Sequence, residues 1–72
     1  MIIKATSIVG GTELICLERI VLVRRLYDND KVNVKPFTRI TLEVGHSSTF
    51  TDVQETPNEI ATKIYLREGE MR

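Results

Sequence analysis

The chain has 72 residues, 42% of them apolar and 28% charged, with a formal net charge of zero. A chain this short holds one domain with a small core, for which a partner subunit is a common source of extra stability. A single cysteine rules out an intrachain disulfide, one histidine and one cysteine rule out the usual zinc ligand sets, and no apolar run approaches the ~20 residues of a membrane-spanning helix.

Ile2 to Val9 is rich in β-branched residues and reads as a strand. Gly10-Gly11 follows, then a second extended run from Thr12 to Leu17. Two apolar runs joined by two glycines predict a β-hairpin, because tight hairpin turns need the positive φ that glycine accepts without strain. A phosphate-cradling loop would need more glycines, a Lys-Ser/Thr pair and a following helix, none of which is present. Glu18-Arg19 marks a kink, and Ile20 to Tyr27 reads as a third strand. Leu17, Ile20, Val21 and Arg24 also fit helical spacing, but the density of Ile and Val favours a strand.

Asp28 to Lys31 is a turn by composition. Val32 to Phe37 contains Pro36, which cannot donate to a sheet ladder, so this piece reads as an edge strand or extended arm. Thr38 to Val44 alternates cleanly, with Ile40, Leu42 and Val44 on one face. Gly45 to Ser48 turns the chain, and Thr49 to Val53 returns as a partner strand. After Glu55 the rhythm becomes helical. Thr56 is a natural N-cap, Pro57 suits the first helical position, and Glu59 completes a Thr-x-x-Glu capping box. Ile60, Ala61 and Ile64 with Tyr65 form a narrow apolar stripe, and Gly69 suggests the helix end. No internal repeat, linker or low-complexity segment interrupts the chain.

The charge is unevenly spread. Up to Arg39 there are seven basic residues against four acidic; beyond it there are three against six. Such a balanced chain lacks the concentrated basic footprint of a strong nucleic-acid binder. The Met-Ile-Ile-Lys start has no signal-peptide character, so a cytoplasmic location is expected.

Few constellations carry chemistry. His46 lies beside Ser47 and Ser48, but turn neighbours rarely align as nucleophile and base, and a Gly-x-Ser-x-Gly elbow is absent. Asp28 and Asp30 begin like a calcium loop that lacks its glycine and final glutamate. Glu55 and Glu59 would need a cleft to act as acid and base. Cys16 on an apolar strand reads as a small hydrophobe. No enzymatic activity, metal or cofactor is expected. Arg19, Arg24, Arg25, Lys31 and Lys35, with Tyr27 and Phe37, form the best nucleic-acid candidate, since single-strand binders combine basic grooves with aromatic platforms. Arg24 and Arg25 are adjacent, however, and point to opposite faces of a regular strand.

The layout of Ile40-Thr41-Leu42 before Gly45, then Val53-x-Glu55 leading to Ile60, resembles small bacterial proteins of the flagellar FlbD type and other short β-meander-plus-helix proteins. The likeness covers most of the chain through short structural motifs. It departs at Tyr27 to Phe37, which is longer and more polar, and at Gly45 to Ser48, where Asn-Gly would be usual. The resemblance implies a small bacterial or phage protein with an accessory or regulatory role, and it carries no catalytic residues.

These features predict one α+β domain over residues 1–72: an antiparallel β-meander of four or five strands with a C-terminal helix packed on one face. The expected core is Ile3, Ile8, Leu14, Cys16, Ile20, Leu22, Ile40, Leu42, Phe50, Val53, Ile60 and Ile64. The expected role is a protein–protein interaction module that forms a homo-oligomer, with Val32, Val34 and Phe37 as a candidate interaction edge. The alternative is single-stranded nucleic-acid binding through the Arg19 to Arg39 segment.

Overall fold

The computed structural model describes residues 1–27 and 36–70, leaving aside the side chains of 67–70. It is a small α+β fold of five antiparallel strands and a C-terminal helix. β1 (Ile2–Thr6) pairs with β2 (Thr12–Cys16), and β3 (Ile20–Leu26), β4 (Phe37–Val44) and β5 (Ser47–Val53) form a three-stranded sheet with β4 in the middle. A single 3-10 turn, Leu17–Arg19, links β2 to β3 at the expected kink. The expected meander is thus split, since β2 and β3 are neighbours in sequence but do not pair.

The first hairpin has a longer loop than its two glycines suggest. Residues 7–11 connect the strands, with Thr6 opposite Thr12. Gly10 and Gly11 adopt φ of 92° and 87°, and the Gly10 N–H donates to the Ser7 carbonyl at 3.0 Å. Changing the loop from two residues to five shifts the register by an odd number, which sends every β2 side chain to the other face. Ile15 therefore faces Ile3 in the core, while Leu14 is 64% exposed and Cys16 is only partly buried. The β4–β5 hairpin turns at Gly45 and His46, with Val44 opposite Ser47. Gly45 has φ of 61° and His46 does not share the positive φ, the pattern of a tight turn with glycine first.

β3 contains a register shift between Ile20 and Leu22, so Val21 is an extra residue against β4. The bulge resets the alternation. Ile20 and Val23 both pack on the core, and Leu22 is turned outward. Arg24 and Arg25 do take opposite faces. Arg24 is exposed, whereas Arg25 lies on the inner side and its Nη1 donates to the buried Thr38 hydroxyl at 3.1 Å.

The hairpin and the three-stranded sheet are joined along a seam between the end of β1 and the end of β5. Ser7 bridges Val53, the Ile8 N–H donates to the Asp52 carbonyl at 3.2 Å, and the Gln54 N–H donates to the Thr6 carbonyl at 2.8 Å. Side chains extend the seam. Gln54 Nε2 donates to the Ser7 carbonyl at 2.9 Å, and both Glu55 carboxylate oxygens accept the Thr6 N–H, at 2.8 and 2.9 Å. The Thr6 hydroxyl adds a third bond to Glu55 at 3.3 Å. Ser7 leaves β1 to make this seam, which is why β1 ends at Thr6 rather than Val9.

α1 (Pro57–Glu70) begins where the capping box places it. The Glu59 N–H donates to the Thr56 hydroxyl and the Thr56 N–H to Glu59 Oε1, each at 3.1 Å. Thr56→Ala should cost about 1 kcal/mol, measured by denaturant unfolding, and should leave the outer sheet surface unchanged. Gly69 does not stop the helix, which runs through it to Glu70.

The core is Ile3, Ala5, Ile15, Ile40, Val53 and Ile60, with Leu17, Ile20, Val23, Leu42 and Ile64 packed against it. Of the expected core, Ile8, Leu14, Leu22 and Phe50 are instead exposed. Ile8 lies beyond the end of β1, and Leu14 and Leu22 are displaced by the loop length and the bulge. Phe50 is three residues from Val53 on one strand, so the two cannot share a face.

Candidate interaction surface

The outer face of the β3–β4–β5 sheet is built by simple alternation. Thr38, Ile40 and Val53 are turned inward and fully buried, so Phe37, Arg39 and Thr41 of β4 are turned outward. The register then lines up cross-strand rows. Leu22, Thr41 and Phe50 form one; Arg24, Arg39 and Asp52 form the next; Leu26 and Phe37 form a third. Successive rows on one face lie about 6.7 Å apart along the strands.

Arg39 organises the centre of this face. Its Nε and Nη2 bond the two Asp52 carboxylate oxygens at 2.9 and 3.1 Å, a bidentate pair. Its guanidinium also lies 4.0 Å from the Phe50 ring centroid and 5.8 Å from that of Phe37, within cation–π range. Asp52, by its hydrogen bond and its charge, holds Arg39 even more firmly protonated than usual. Phe50 is nonetheless 55% exposed, and Leu22 beside it in the row is also exposed. The result is a row with exposed Leu22 and Phe50 on either side of Thr41, next to a charged row, on an open sheet face.

Glu55, weighed with Glu59 as an acid–base pair, is instead a seam residue beside Gln54, and Thr56, Pro57 and Glu59 form the helix start. Of the nucleic-acid candidates, Arg24 is on the outer face, Arg25 is on the inner side, and Arg19 is exposed at the 3-10 turn, its Nη1 donating to the Glu43 carbonyl at 3.3 Å. Lys31 and Lys35 lie outside the described residues. So do Val32 and Val34 of the candidate edge. Phe37, its third member, opens the central strand β4 and pairs with Leu26, so it is not on a free edge. Among the described residues β1, β2, β3 and β5 are all edge strands, β1 and β5 being joined only at their ends by the seam.

The grouping of Arg39, Asp52 and Phe50 escapes sequence reasoning, though a signal exists. A two-residue turn at Gly45 and His46 forces Arg39 opposite Asp52 and Thr41 opposite Phe50.

A shallow pocket of about 500 Å³ opens elsewhere, lined by Cys16, Glu18, Arg19, Glu43 and Gly45. The Glu18 carboxylate in it is already engaged. The Met1 ammonium donates to both Glu18 oxygens at 2.7 and 3.0 Å, and the Cys16 thiol donates to Glu18 Oε2 at 3.2 Å. These bonds, the ammonium's first, pull the Glu18 carboxyl down to about 2. Among the described residues, no three His, Cys, Asp or Glu side chains converge as a metal site requires. No described helix is long and apolar enough to cross a membrane.

No family model, curated protein or solved structure matches this chain.

Proposed function

We infer that the chain is a non-enzymatic protein-interaction module that associates with copies of itself, in an accessory or regulatory role suited to a small cytoplasmic protein of bacterial or phage origin. The observation that carries this reading is the balance of apolar side chains. Among the described residues six are buried in the core, while eleven large ones are exposed, Leu22 and Phe50 in one row of the outer sheet face among them. Single exposed apolar residues are ordinary, but two large ones flanking Thr41 in one row, beside an ordered charged row, are the pattern of an interface. The small core points the same way, because subunit association is one way a domain of this size gains stability.

Size-exclusion chromatography with light scattering tests the reading. The expected result is a dimer or larger assembly at micromolar concentration, dissociating on dilution. A strict monomer up to millimolar concentration would remove it.

A second reading, single-stranded nucleic-acid binding, is favoured by Arg24, Arg39, Phe37 and Phe50 sharing one face, since bases stack on exposed aromatic and guanidinium planes. It is weakened by Asp52, which occupies Arg39 within the same row, by the exposed Glu43 on that face, and by a net charge of zero.

A further inference from the structure

We propose that the outer face of the β3–β4–β5 sheet is a homodimer interface, in which two copies pack face to face about a two-fold axis running along β4. This rests on the self-association reading and specifies its surface. Two rows of this face are complementary to themselves under that rotation, while Glu43, exposed near the hairpin end of β4, meets its own copy beyond them. A half-turn about β4 lays β3 of one copy over β5 of the other. Arg24 then faces Asp52 of the second copy, and Asp52 faces the second copy's Arg24. In the neighbouring row Leu22 meets Phe50 and Phe50 meets Leu22, with the smaller Thr41 residues on the axis. In these two rows cation falls on anion and apolar on apolar, as an isologous interface requires.

Arg39 would meet its own copy at the axis, but it is drawn off β4. Its bidentate bonds to Asp52 and its position over the Phe50 ring pull the guanidinium toward β5, and the two-fold sends the two Arg39 residues to opposite sides. Strand directions stay aligned in this arrangement, as in face-to-face sheet packing.

Edge-to-edge pairing is the competing geometry for two copies. β1 and β2 have only five residues each, β3 carries the Val21 bulge, and the C-terminal end of β5 is bonded across the seam; short strands, bulges and covered ends blunt an edge against further pairing.

The test is a charge-swap mixing experiment on the full chain, read by sedimentation equilibrium, with circular dichroism melts to establish that each variant folds. Arg24→Glu alone sets two carboxylates against each other across the interface. Asp52→Lys alone sets two cations against each other there. Each should weaken the dimer about tenfold or more. An equimolar mixture of the two should form a heterodimer about tenfold or more tighter than either variant's own dimer, short of the parent because one copy lacks the Arg39–Asp52 pair. Phe50→Glu, at an exposed position, should weaken the dimer and should not be rescued by either charge variant.

Rescue on mixing supports the two-fold arrangement. Folded single variants that are both weakened and not rescued overturn it. A parent dimer indifferent to all three substitutions overturns this interface and leaves the self-association reading standing. A monomeric parent overturns both. A monomeric parent that binds a single-stranded oligonucleotide, with salt-dependent affinity lost in Phe50→Glu, assigns the face to nucleic acid instead.

Discussion

Ile60→Ala should cost about 2–5 kcal/mol, enough to unfold much of the domain at ambient temperature. Ile60 is 0% exposed and, among the described residues, is the one side chain of α1 in the fully buried cluster with Ile3, Ile40 and Val53. Ile64, one turn on, is only partly buried, and Tyr65 and Leu66 are exposed. A 14-residue helix is marginal in water by itself, so it persists here because that side chain docks it. Truncation leaves a cavity at the point where the helix covers the core. Thermal unfolding followed by circular dichroism checks this. In a domain of this size each kcal/mol shifts the midpoint by roughly 4–8 °C. Tyr65→Ala, at a 74% exposed site, is the control and should change stability by less than about 0.5 kcal/mol. Similar losses for the two would contradict the docking of α1 through Ile60.

Glu55→Ala should cost about 1.5–3 kcal/mol, the range for hydrogen bonds to a charged group. The Glu55 carboxylate accepts the Thr6 N–H with both oxygens and the Thr6 hydroxyl with one. Its effect exceeds that of an ordinary surface contact because the bonds span two sheets that share no regular ladder among the described residues. The Ser7–Val53 bridge, its neighbouring backbone bonds and the Gln54 side chain accompany them. Glu55→Gln retains an acceptor oxygen and should lose less. Urea unfolding gives the magnitudes, and amide exchange gives the location: the Thr6 and Gln54 amides should lose protection before the interior of β4. An alanine variant as stable as the parent, with Thr6 still protected, would contradict the seam.

The sequence is most legible where one local rule decides the outcome. Thr56, Pro57 and Glu59 set the helix start because capping is a contact between near neighbours. The alternation of β4 is plain because that strand has one buried and one open face. Phase is harder to read. The facing of β2 depends on the length of a loop whose Ser7 is held by β5, and nothing near Gly10-Gly11 encodes that distant contact. The facing of β3 depends on a bulge at Val21, one apolar residue among four. Gln54 and Glu55 look spare beside the cap for the same reason, since their partners Thr6 and Ser7 lie at the other end of the chain. The outer face is half legible. Arg24 stands out from the sequence, but the row containing Arg39 and Asp52, with Phe50 beside it, emerges only once the turn at Gly45 and His46 fixes the register.

On this account the open sheet face receives a second copy of the chain. Isotope-filtered nuclear Overhauser spectroscopy on a mixture of labelled and unlabelled chains reports only contacts between copies. Within one chain Leu22 and Phe50 lie on strands separated by β4. Cross-peaks between the Leu22 methyls of one copy and the Phe50 ring of the other are the predicted result. A dimer whose intermolecular cross-peaks omit both residues would contradict it.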